Sequence, residues 1–229
     1  MLRLRRLALR GAQRGISLVE LMVGITIGMI VVAGASVLMT TQLNEHRRLM
    51  LETQVQQDLR ATGDLIVREL RRSGYTRFSM NSVWAPGAAA PVANAYSPVD
   101  TSQSDEFTYS YARDDDANLD NSTETFGFRL KEGAIYFRLG NSWQPLTDVN
   151  TLVVDRFTIH TQAHQISLAD YCTAPCPTGG TCPPPYQEVR RFDIVLSGHA
   201  KHDDKVRRAV NVSTRLRNDN IVNSCPTPP

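Results

Sequence analysis

The sequence predicts an α+β protein in which one long N-terminal helix packs on an antiparallel β-sheet. Residues 16–39 form an apolar run, and residues 41–72 contain no proline and carry an apolar residue at every third or fourth position. Most of the later chain alternates apolar with polar residues. These patterns are typical of a membrane helix, an amphipathic helix and half-buried strands, in that order along the chain.

The apolar run is long enough to cross a membrane. Its 24 residues make a helix of about 36 Å at about 1.5 Å per residue, against a hydrocarbon core of about 30 Å. We place a transmembrane segment at residues 16–40. Glu20 is its single charge, and because a carboxylate is costly in lipid, we expect it to have a functional partner.

The distribution of charge predicts how the chain is oriented. The whole chain has a net charge of +2, but residues 1–14 hold five arginines and no acid, which leaves 20 basic and 23 acidic residues in the remainder. Only Arg47 and Arg48 follow the apolar run within 15 residues. The positive-inside rule therefore places the N-terminus in the cytoplasm and the C-terminal domain outside. The slightly acidic remainder gives no firm reason to expect nucleic acid binding.

Residues 41–74 are predicted to form an amphipathic helix that continues the apolar run. We expect its first part to be a solvated stalk and its second part to dock on the globular domain, with Ser73 and Gly74 ending the helix. A continuous helix over residues 16–72 would be about 85 Å long. The apolar stripe that would dock consists of Leu51, Val55, Leu59, Thr62, Ile66 and Leu70.

Residues 75–229 are predicted to form the sheet domain. Apolar and polar residues alternate through several short runs, and Lys131-Glu132-Gly133 lies between two of them as a predicted hairpin turn. Residues 152–159 are apolar on both faces and are predicted to be a central strand. The short connections favour antiparallel pairing in one sheet.

The residues around Gly15 carry a processing motif. Gly15, Ile16 and Glu20 lie between a basic leader, residues 1–15, and an unbroken apolar helix, a pattern that resembles a type IV prepilin. The resemblance implies a pilin-like fold, cleavage after Gly15 by a prepilin peptidase, and methylation of the new N-terminus at Ile16. It also implies that Glu20 faces the N-terminal ammonium of a neighbouring subunit in the filament. Ile16 departs from the phenylalanine usual in the family.

An ordinary secretory signal or a plain membrane anchor is the alternative interpretation. Ala33-Gly34-Ala35 offers a small-residue cleavage site for a signal peptidase. Against that interpretation, Glu20 interrupts the apolar core and the apolar pattern continues to Met39.

A second motif narrows the resemblance. Residues 68–75 read Arg-Glu-Leu-Arg-Arg-Ser-Gly-Tyr and resemble the corresponding helix end in minor pilins of the PilW family. The resemblance implies a minor pilin that primes type IV pilus assembly at the tip, with other minor pilins, major pilin and a possible tip adhesin as partners. Cell adhesion and twitching motility are the processes it implies. It further implies a single pass through the bacterial inner membrane with the sheet domain in the periplasm, and then a place in the pilus.

Two other functions remain open from the sequence. A minor pseudopilin of a type II secretion system has the same N-terminal signature, so residues 1–40 do not separate it from a pilin. A membrane-anchored periplasmic enzyme would need a catalytic cluster. The sequence contains no nucleophile elbow, phosphate loop or HExxH motif, and we therefore predict no enzyme activity, catalytic residue, metal or cofactor.

The four cysteines are predicted to form disulfides. Cys172, Cys176 and Cys182 lie in a proline-rich loop and Cys225 lies near the C-terminus. Their spacing does not match paired CxxC zinc ligands, and an exported domain favours two disulfides with three possible pairings. We expect Cys225 to join the C-terminal tail to the loop and the other two cysteines to pair locally. In pilins, such a disulfide-bounded region is implied by resemblance to be a contact and display surface.

Two charged stretches are weaker candidates for sites. Oxygen-bearing side chains at every second position are typical of calcium loops, although Leu119 replaces the expected glycine and a solvated hairpin tip is the alternative. These side chains are Asp114, Asp116, Asn118 and Asp120. A basic last strand would suit DNA phosphates, but it lacks aromatic stacking partners and is predicted to be a solvated face or subunit contact. Its residues are Lys201, Lys205, Arg207, Arg208, Arg215 and Arg217.

Overall fold

The computed structural model of the chain describes residues 15–82, 92–114, 118–172, 174 and 183–226. It confirms the predicted class, a long N-terminal helix with antiparallel strands. The chain divides into two compact units, Met1–Leu49 and Met50–Pro229. The described elements are α1 (Leu18–Leu70), two 3-10 helices (Ser79–Ser82 and Ala169–Tyr171), β1 (Val99–Asp100), β2 (Glu106–Ser110), β3 (Thr125–Lys131), β4 (Ala134–Leu139), β5 (Ser142–Pro145), β6 (Leu152–Ser167), β7 (Tyr186–Ala200), β8 (Asp203–Arg215) and β9 (Asn220–Val222).

In the second unit, α1 buries the apolar stripe that the sequence predicted. Val55, Leu59, Ile66 and Leu70 are almost completely buried, and Leu51 packs at the edge of the same cluster. Repetition at three or four residues puts these side chains on one face of the helix, so a single docking event removes all of them from water. The prediction that the second part of the amphipathic helix docks on the globular domain is therefore confirmed.

A glycine sets how closely the helix approaches the strands. A Cβ added at Gly63 would lie 3.3 Å from a methyl group of Val212 on β8 and 3.6 Å from one of Leu196 on β7. These distances leave little room for a larger side chain, so the helix backbone sits directly on the apolar face of these two strands.

The first sheet is a meander with the strand order β1-β2-β3-β4-β5. The register pairs Phe107 with Phe128 and Tyr109 with Phe126, which places aromatic rings on one face. Glu132 (φ 52°) and Gly133 (φ 77°) form the two-residue connection between β3 and β4. Two positive φ angles are characteristic of the type I′ hairpin turn, and the predicted turn is confirmed.

The remaining strands form a second sheet of order β6-β7-β8, with β9 paired to the start of β7. The prediction of one sheet is therefore corrected to two. Pro145 ends β5 and has no N–H to donate, as is common for a residue on an edge strand. The chain then turns through residues 146–151 before β6 begins.

The prediction that residues 152–159 form a central strand is wrong. Among the described strands, β6 pairs with β7 alone and lies at a sheet edge. The second face of β6 is apolar for a different reason. Val153 lies on that face, and the β3–β4 turn of the other sheet covers it. A Cβ added at Gly133 would lie 3.0 Å from Val153, and the Val154 N–H donates to the Gly133 carbonyl at 2.8 Å.

One apolar core joins the second half of α1 to both sheets. The Phe107 and Phe157 rings, one from each sheet, have centroids 5.8 Å apart. A buried arginine adds a polar link, because Arg190 on β7 donates to the carbonyl of Ser97 at 2.6 Å and to its hydroxyl at 3.1 Å. Burial lowers the pKa of Arg190, and these hydrogen bonds offset part of the cost of its desolvation.

Candidate assembly segment

The first turn of α1 carries the predicted assembly residue. Helix α1 begins at Leu18, and the Leu21 N–H donates to the Ser17 carbonyl at 3.1 Å, which makes Ser17 the N-cap residue. Glu20 then occupies the third helical position, where an acidic side chain is favoured by the helix dipole and completes the Ser-x-x-Glu capping-box sequence. The local sequence thus starts the helix three residues after Gly15, where the predicted leader ends.

Glu20 has no ion-pair partner among the described residues, and it is exposed. Ile16, the predicted new N-terminus, is 73% exposed. Neither side chain contributes to the core of this subunit. The rest of the described subunit therefore covers neither side chain.

The apolar residues that follow are equally exposed. Every described residue from 15 to 50 is exposed, although most of those in residues 16–39 are apolar. Soluble monomers rarely present an apolar surface of this extent to water. This stretch of α1 is long and apolar enough to cross a membrane.

The serine and threonine hydroxyl groups beyond the first turn of α1 are satisfied by the helix itself in this stretch. The hydroxyl of Thr26 donates to the Val23 carbonyl at 2.9 Å, and that of Ser36 donates to the Val32 carbonyl at 2.8 Å. Thr40 and Thr41 bond in the same way to the Val37 carbonyl. Internal satisfaction of polar groups is what a hydrocarbon environment requires.

Three glycines in this stretch have no packing role inside the subunit. A Cβ added at Gly24, Gly28 or Gly34 would meet nothing within 4 Å. The contrast with Gly63 is direct, since that glycine lies against two strands. Small residues four positions apart, as at Gly24 and Gly28, permit close approach of a neighbouring helix, and glycine is also common in membrane helices generally.

Comparison with known families identifies the chain. The prokaryotic N-terminal methylation motif matches residues 10–36, and the family described as prepilin peptidase-dependent protein B matches residues 48–216, well over half of the chain. The chain belongs to the prepilin peptidase-dependent protein B family. None of the curated proteins and none of the solved structures compared with it matches.

The two matches correspond to the two structural units. The methylation motif lies within Met1–Leu49, and the family match begins two residues before Met50. Together they make this member of the family a pilin-like or pseudopilin-like protein with a prepilin-type processing site, and its apolar N-terminal helix fits an inner-membrane anchor. The narrower resemblance to the PilW family stays a prediction.

A disulfide closes the C-terminal region. Cys172 is bonded to Cys225 with a Cα–Cα distance of 5.4 Å, so the C-terminal tail is joined to the chain at the start of the proline-rich loop. Cys176 and Cys182 lie outside the described residues, and their expected local pairing stays a prediction.

The predicted calcium loop contains a hydrogen-bonded turn. The Asp120 carboxylate accepts hydrogen bonds from the Ser122 hydroxyl at 2.7 Å, the Ser122 N–H at 2.8 Å and the Thr123 hydroxyl at 2.9 Å. These bonds lower the pKa of Asp120 and are typical of an aspartate that initiates a turn. Asp116 lies outside the described residues. Within the described ranges, no three acidic, histidine or cysteine side chains are grouped to hold a metal ion.

Sequence reasoning missed the structural role of Glu124, next to this loop. Glu124 is completely buried and accepts hydrogen bonds from the N–H groups of Arg113 at 2.7 Å and Asp120 at 3.0 Å, and from the Tyr96 hydroxyl at 2.9 Å. Burial by itself raises the pKa of Glu124, but the hydrogen bonds together bring it below the ordinary value of 4.5. Its donors come from three separate stretches of chain, which no local sequence signal reveals.

Three of the six residues in the predicted basic strand are paired with acids. Arg207 lies 3.4 Å from Asp155, and Arg215 lies 2.7 Å from Asp219. Arg208 is on the inner side of β8 and pairs with Glu52 of α1. The strand therefore presents less free positive charge than its composition suggests.

Proposed function

We propose that this protein is a minor pilin of a type IV pilus, of the PilW kind, that primes assembly at the pilus tip together with other minor pilins. The observation that carries the proposal is an exposed apolar helix with one carboxylate, Glu20, in its first turn and no described partner for that carboxylate in the same subunit. A helix surface of this composition is stable in lipid or among similar helices.

The proposed mechanism is assembly by helix bundling. The inner membrane holds the subunit through α1 with the sheet domain in the periplasm, and removal of the leader creates an ammonium at Ile16. Burying this ammonium or the Glu20 carboxylate alone would be costly, whereas a hydrogen-bonded pair between two subunits compensates much of that cost. Minor pilins would form the first such bundle, and major pilin would be added below it.

Two other functions are weighed against this proposal. A minor pseudopilin of a type II secretion system would use the same N-terminal segment. The arginine-rich helix end followed by Gly74-Tyr75 and the tail closed by Cys172–Cys225 favour the pilus. A membrane-anchored periplasmic enzyme would need a converging catalytic cluster, and we propose no catalytic role.

The first experiment is mass spectrometry of the intact mature protein from its native membrane, with sequencing of the N-terminal fragment. We expect a chain that begins at N-methylated Ile16. A chain that begins at Ser36 would lack the assembly helix, and one that still begins at Met1 would be unprocessed. Either result would contradict the pilin mechanism.

The second experiment separates the pilus from the secretion system. We expect deletion of the gene to reduce surface pili and twitching while leaving secretion of exoproteins intact. Loss of secretion with normal pili would assign the protein to a secretion pseudopilus. Complementation with the intact gene is the control for effects on neighbouring genes.

A further inference from the structure

The C-terminal end of α1 carries an arginine-lined pocket that the assembly mechanism does not use. Two adjoining open depressions, of about 310 and 410 Å³, share Arg71, Arg72 and Arg217 in their walls. Arg68 lines the second depression, and Tyr75 and Tyr111 line the first. We call this combined site the arginine pocket.

Two parts of the chain far apart in sequence meet at the pocket. Beyond Leu70 the chain turns, and Gly74, with a φ of 75°, donates its N–H to the Ser110 carbonyl at 2.9 Å. The side chain of Asn218 donates to the Ser73 carbonyl at 2.9 Å. This bond holds the segment after β8 against the helix end and brings the neighbouring Arg217 beside the helix arginines.

The pocket has more positive than negative charge. Glu69 is the one carboxylate within ion-pair distance of the helix arginines in the described structure, 3.3 Å from Arg72 and 3.7 Å from Arg68. The Arg71 Nε donates to the neutral hydroxyl of Thr214 at 3.1 Å. Asp64 is a second carboxylate in the wall. With it included, the site has four guanidinium groups and two carboxylates, those of Asp64 and Glu69.

Arg217 has no ion-pair partner in the described part of the chain. It is also exposed. Its charge is therefore available to a ligand without breaking an ion pair among the described residues.

One guanidinium group is held in a defined orientation. The Arg72 Cζ lies 4.1 Å from the centre of the Tyr111 ring, a distance suited to a cation–π contact. A planar guanidinium whose orientation is already restricted can bind a carboxylate through two parallel N–H···O bonds with little further loss of entropy. Tyr75 stands beside it and is 54% exposed.

The helix dipole explains only part of this arrangement. Basic side chains are favoured near a helix C-terminus, which accounts for Arg68, Arg71 and Arg72. It does not account for Arg217, which follows β8 and is brought to the helix end by tertiary structure. A site that gathers charge from two distant segments suits an anionic ligand.

We infer that the arginine pocket binds a carboxylate-bearing segment of another protein. A nucleic acid ligand is less suited, because it needs a continuous basic track and successive stacking platforms. The arginines of the nearby strand β8 are paired with Asp155, Glu52 and Asp219, which interrupts the positive charge along that strand. This inference stands whether or not the protein primes a pilus.

The test is binding of a fluorescein-labelled octaglutamate peptide to the full chain in detergent, measured by fluorescence anisotropy. We expect saturable binding to the wild type that weakens as salt is added. The double variant Arg71→Glu/Arg217→Glu should bind on the order of tenfold more weakly or worse, because it replaces attraction by repulsion. Arg60→Glu/Arg156→Glu is the matched control and should bind like the wild type, since it makes the same charge change at two exposed arginines outside the pocket.

Two further variants separate recognition from general attraction and from misfolding. Arg71→Lys/Arg217→Lys keeps the charge but loses the planar fork, and we expect binding between that of the wild type and that of the charge-reversed protein. Arg217→Gln alone changes one exposed side chain, so it should weaken binding while the unfolding midpoint stays unchanged.

Three results would overturn the inference. The first is a wild-type protein that does not bind the peptide, and the second is equal binding by the wild type and Arg71→Glu/Arg217→Glu. The third is displacement of the peptide by oligothymidylate at a lower concentration than by unlabelled octaglutamate, which would assign the pocket to nucleic acid.

Discussion

The two halves of α1 have the same secondary structure and opposite surroundings. Residues 18–49 are exposed throughout, whereas residues 51–70 bury one regular face. In the second half, apolar side chains at every third or fourth position meet strands of the same subunit. From residue 18 to residue 39 of the first half, apolar side chains occur on all sides of the helix, which no single docking face can cover.

The interactions that form the helix are therefore different from those that bury its apolar side chains. Backbone hydrogen bonds and good caps form both halves, but only the second half reaches its apolar environment within one chain. The first half requires lipid or other helices. Each prediction below compares a variant with a matched control, and the predictions run from the largest expected effect to the smallest.

Glu20→Ala should abolish incorporation into the assembled filament. Removing one member of a buried ion pair costs about 3–5 kcal/mol, and the subunit's own core does not involve Glu20. The measurement is the amount of protein in sheared surface filaments at native expression, with Glu45→Ala, another exposed acid of the same helix, as the control. Normal piliation by the Glu20 variant would count against the proposed pairing.

Leu59→Ala should destabilise the second unit by about 2–5 kcal/mol, the range for removal of a fully buried leucine side chain. Leu59 is 0% exposed, whereas Leu38 is 67% exposed. Leu38→Ala should therefore change the unfolding free energy by less than about 0.5 kcal/mol. Urea unfolding of the full chain in detergent, followed by tryptophan fluorescence, measures both. Equal losses of unfolding free energy in the two variants would contradict the difference in burial between the two halves of α1.

Glu124→Gln should cost about 1.5–3 kcal/mol at neutral pH, because charge-assisted hydrogen bonds are replaced by weaker ones. The folded-state pKa of Glu124 is lowered, so its contribution to stability is present above the unfolded-state value and is lost as pH falls through the folded one.

Unfolding measured as a function of pH tests whether the stabilisation by Glu124 is lost as the pH falls. The difference in stability between wild type and Glu124→Gln should therefore narrow below pH 4.5, the ordinary value for this side chain. Glu132→Gln changes an exposed acid in the β3–β4 turn and serves as the control. A difference that stays constant down to the lowest accessible pH would show that the carboxylate charge of Glu124 is not what stabilises the fold.

Gly63→Ala should destabilise the second unit by about 1 kcal/mol, because crowding against a packed β-branched side chain outweighs the gain in helix propensity. The added Cβ lies 3.3 Å from Val212. Gly28→Ala meets nothing within 4 Å and gains helix propensity without crowding, so it should not lower the unfolding midpoint. Thermal unfolding followed by circular dichroism compares the two variants. A higher unfolding midpoint for Gly63→Ala would show that β7 and β8 can shift to make room for the added methyl group.

Sequence patterns predicted the structure correctly where a feature depends on residues within one helix or one turn. The apolar run, the stripe from Leu51 to Leu70 and the turn at Glu132 and Gly133 each depend on neighbours within a few residues. Residues 152–159 misled the prediction, because two apolar faces suggested a central strand. The second face of β6 is covered by a hairpin of the other sheet, and periodicity does not report which partner covers a face.

The sequence by itself determined the processing motif, the long helix, its division into an all-round apolar half and a one-sided half, and the antiparallel class of the strands. These features follow from side-chain chemistry at fixed short spacings. Only the tertiary structure decided that the strands form two sheets, that Glu124 is buried among N–H and O–H donors from separate stretches of the chain, and that Arg217 joins the arginines at the helix end. Those features depend on contacts between residues far apart along the chain, whose pairing is set by the packing of the whole core.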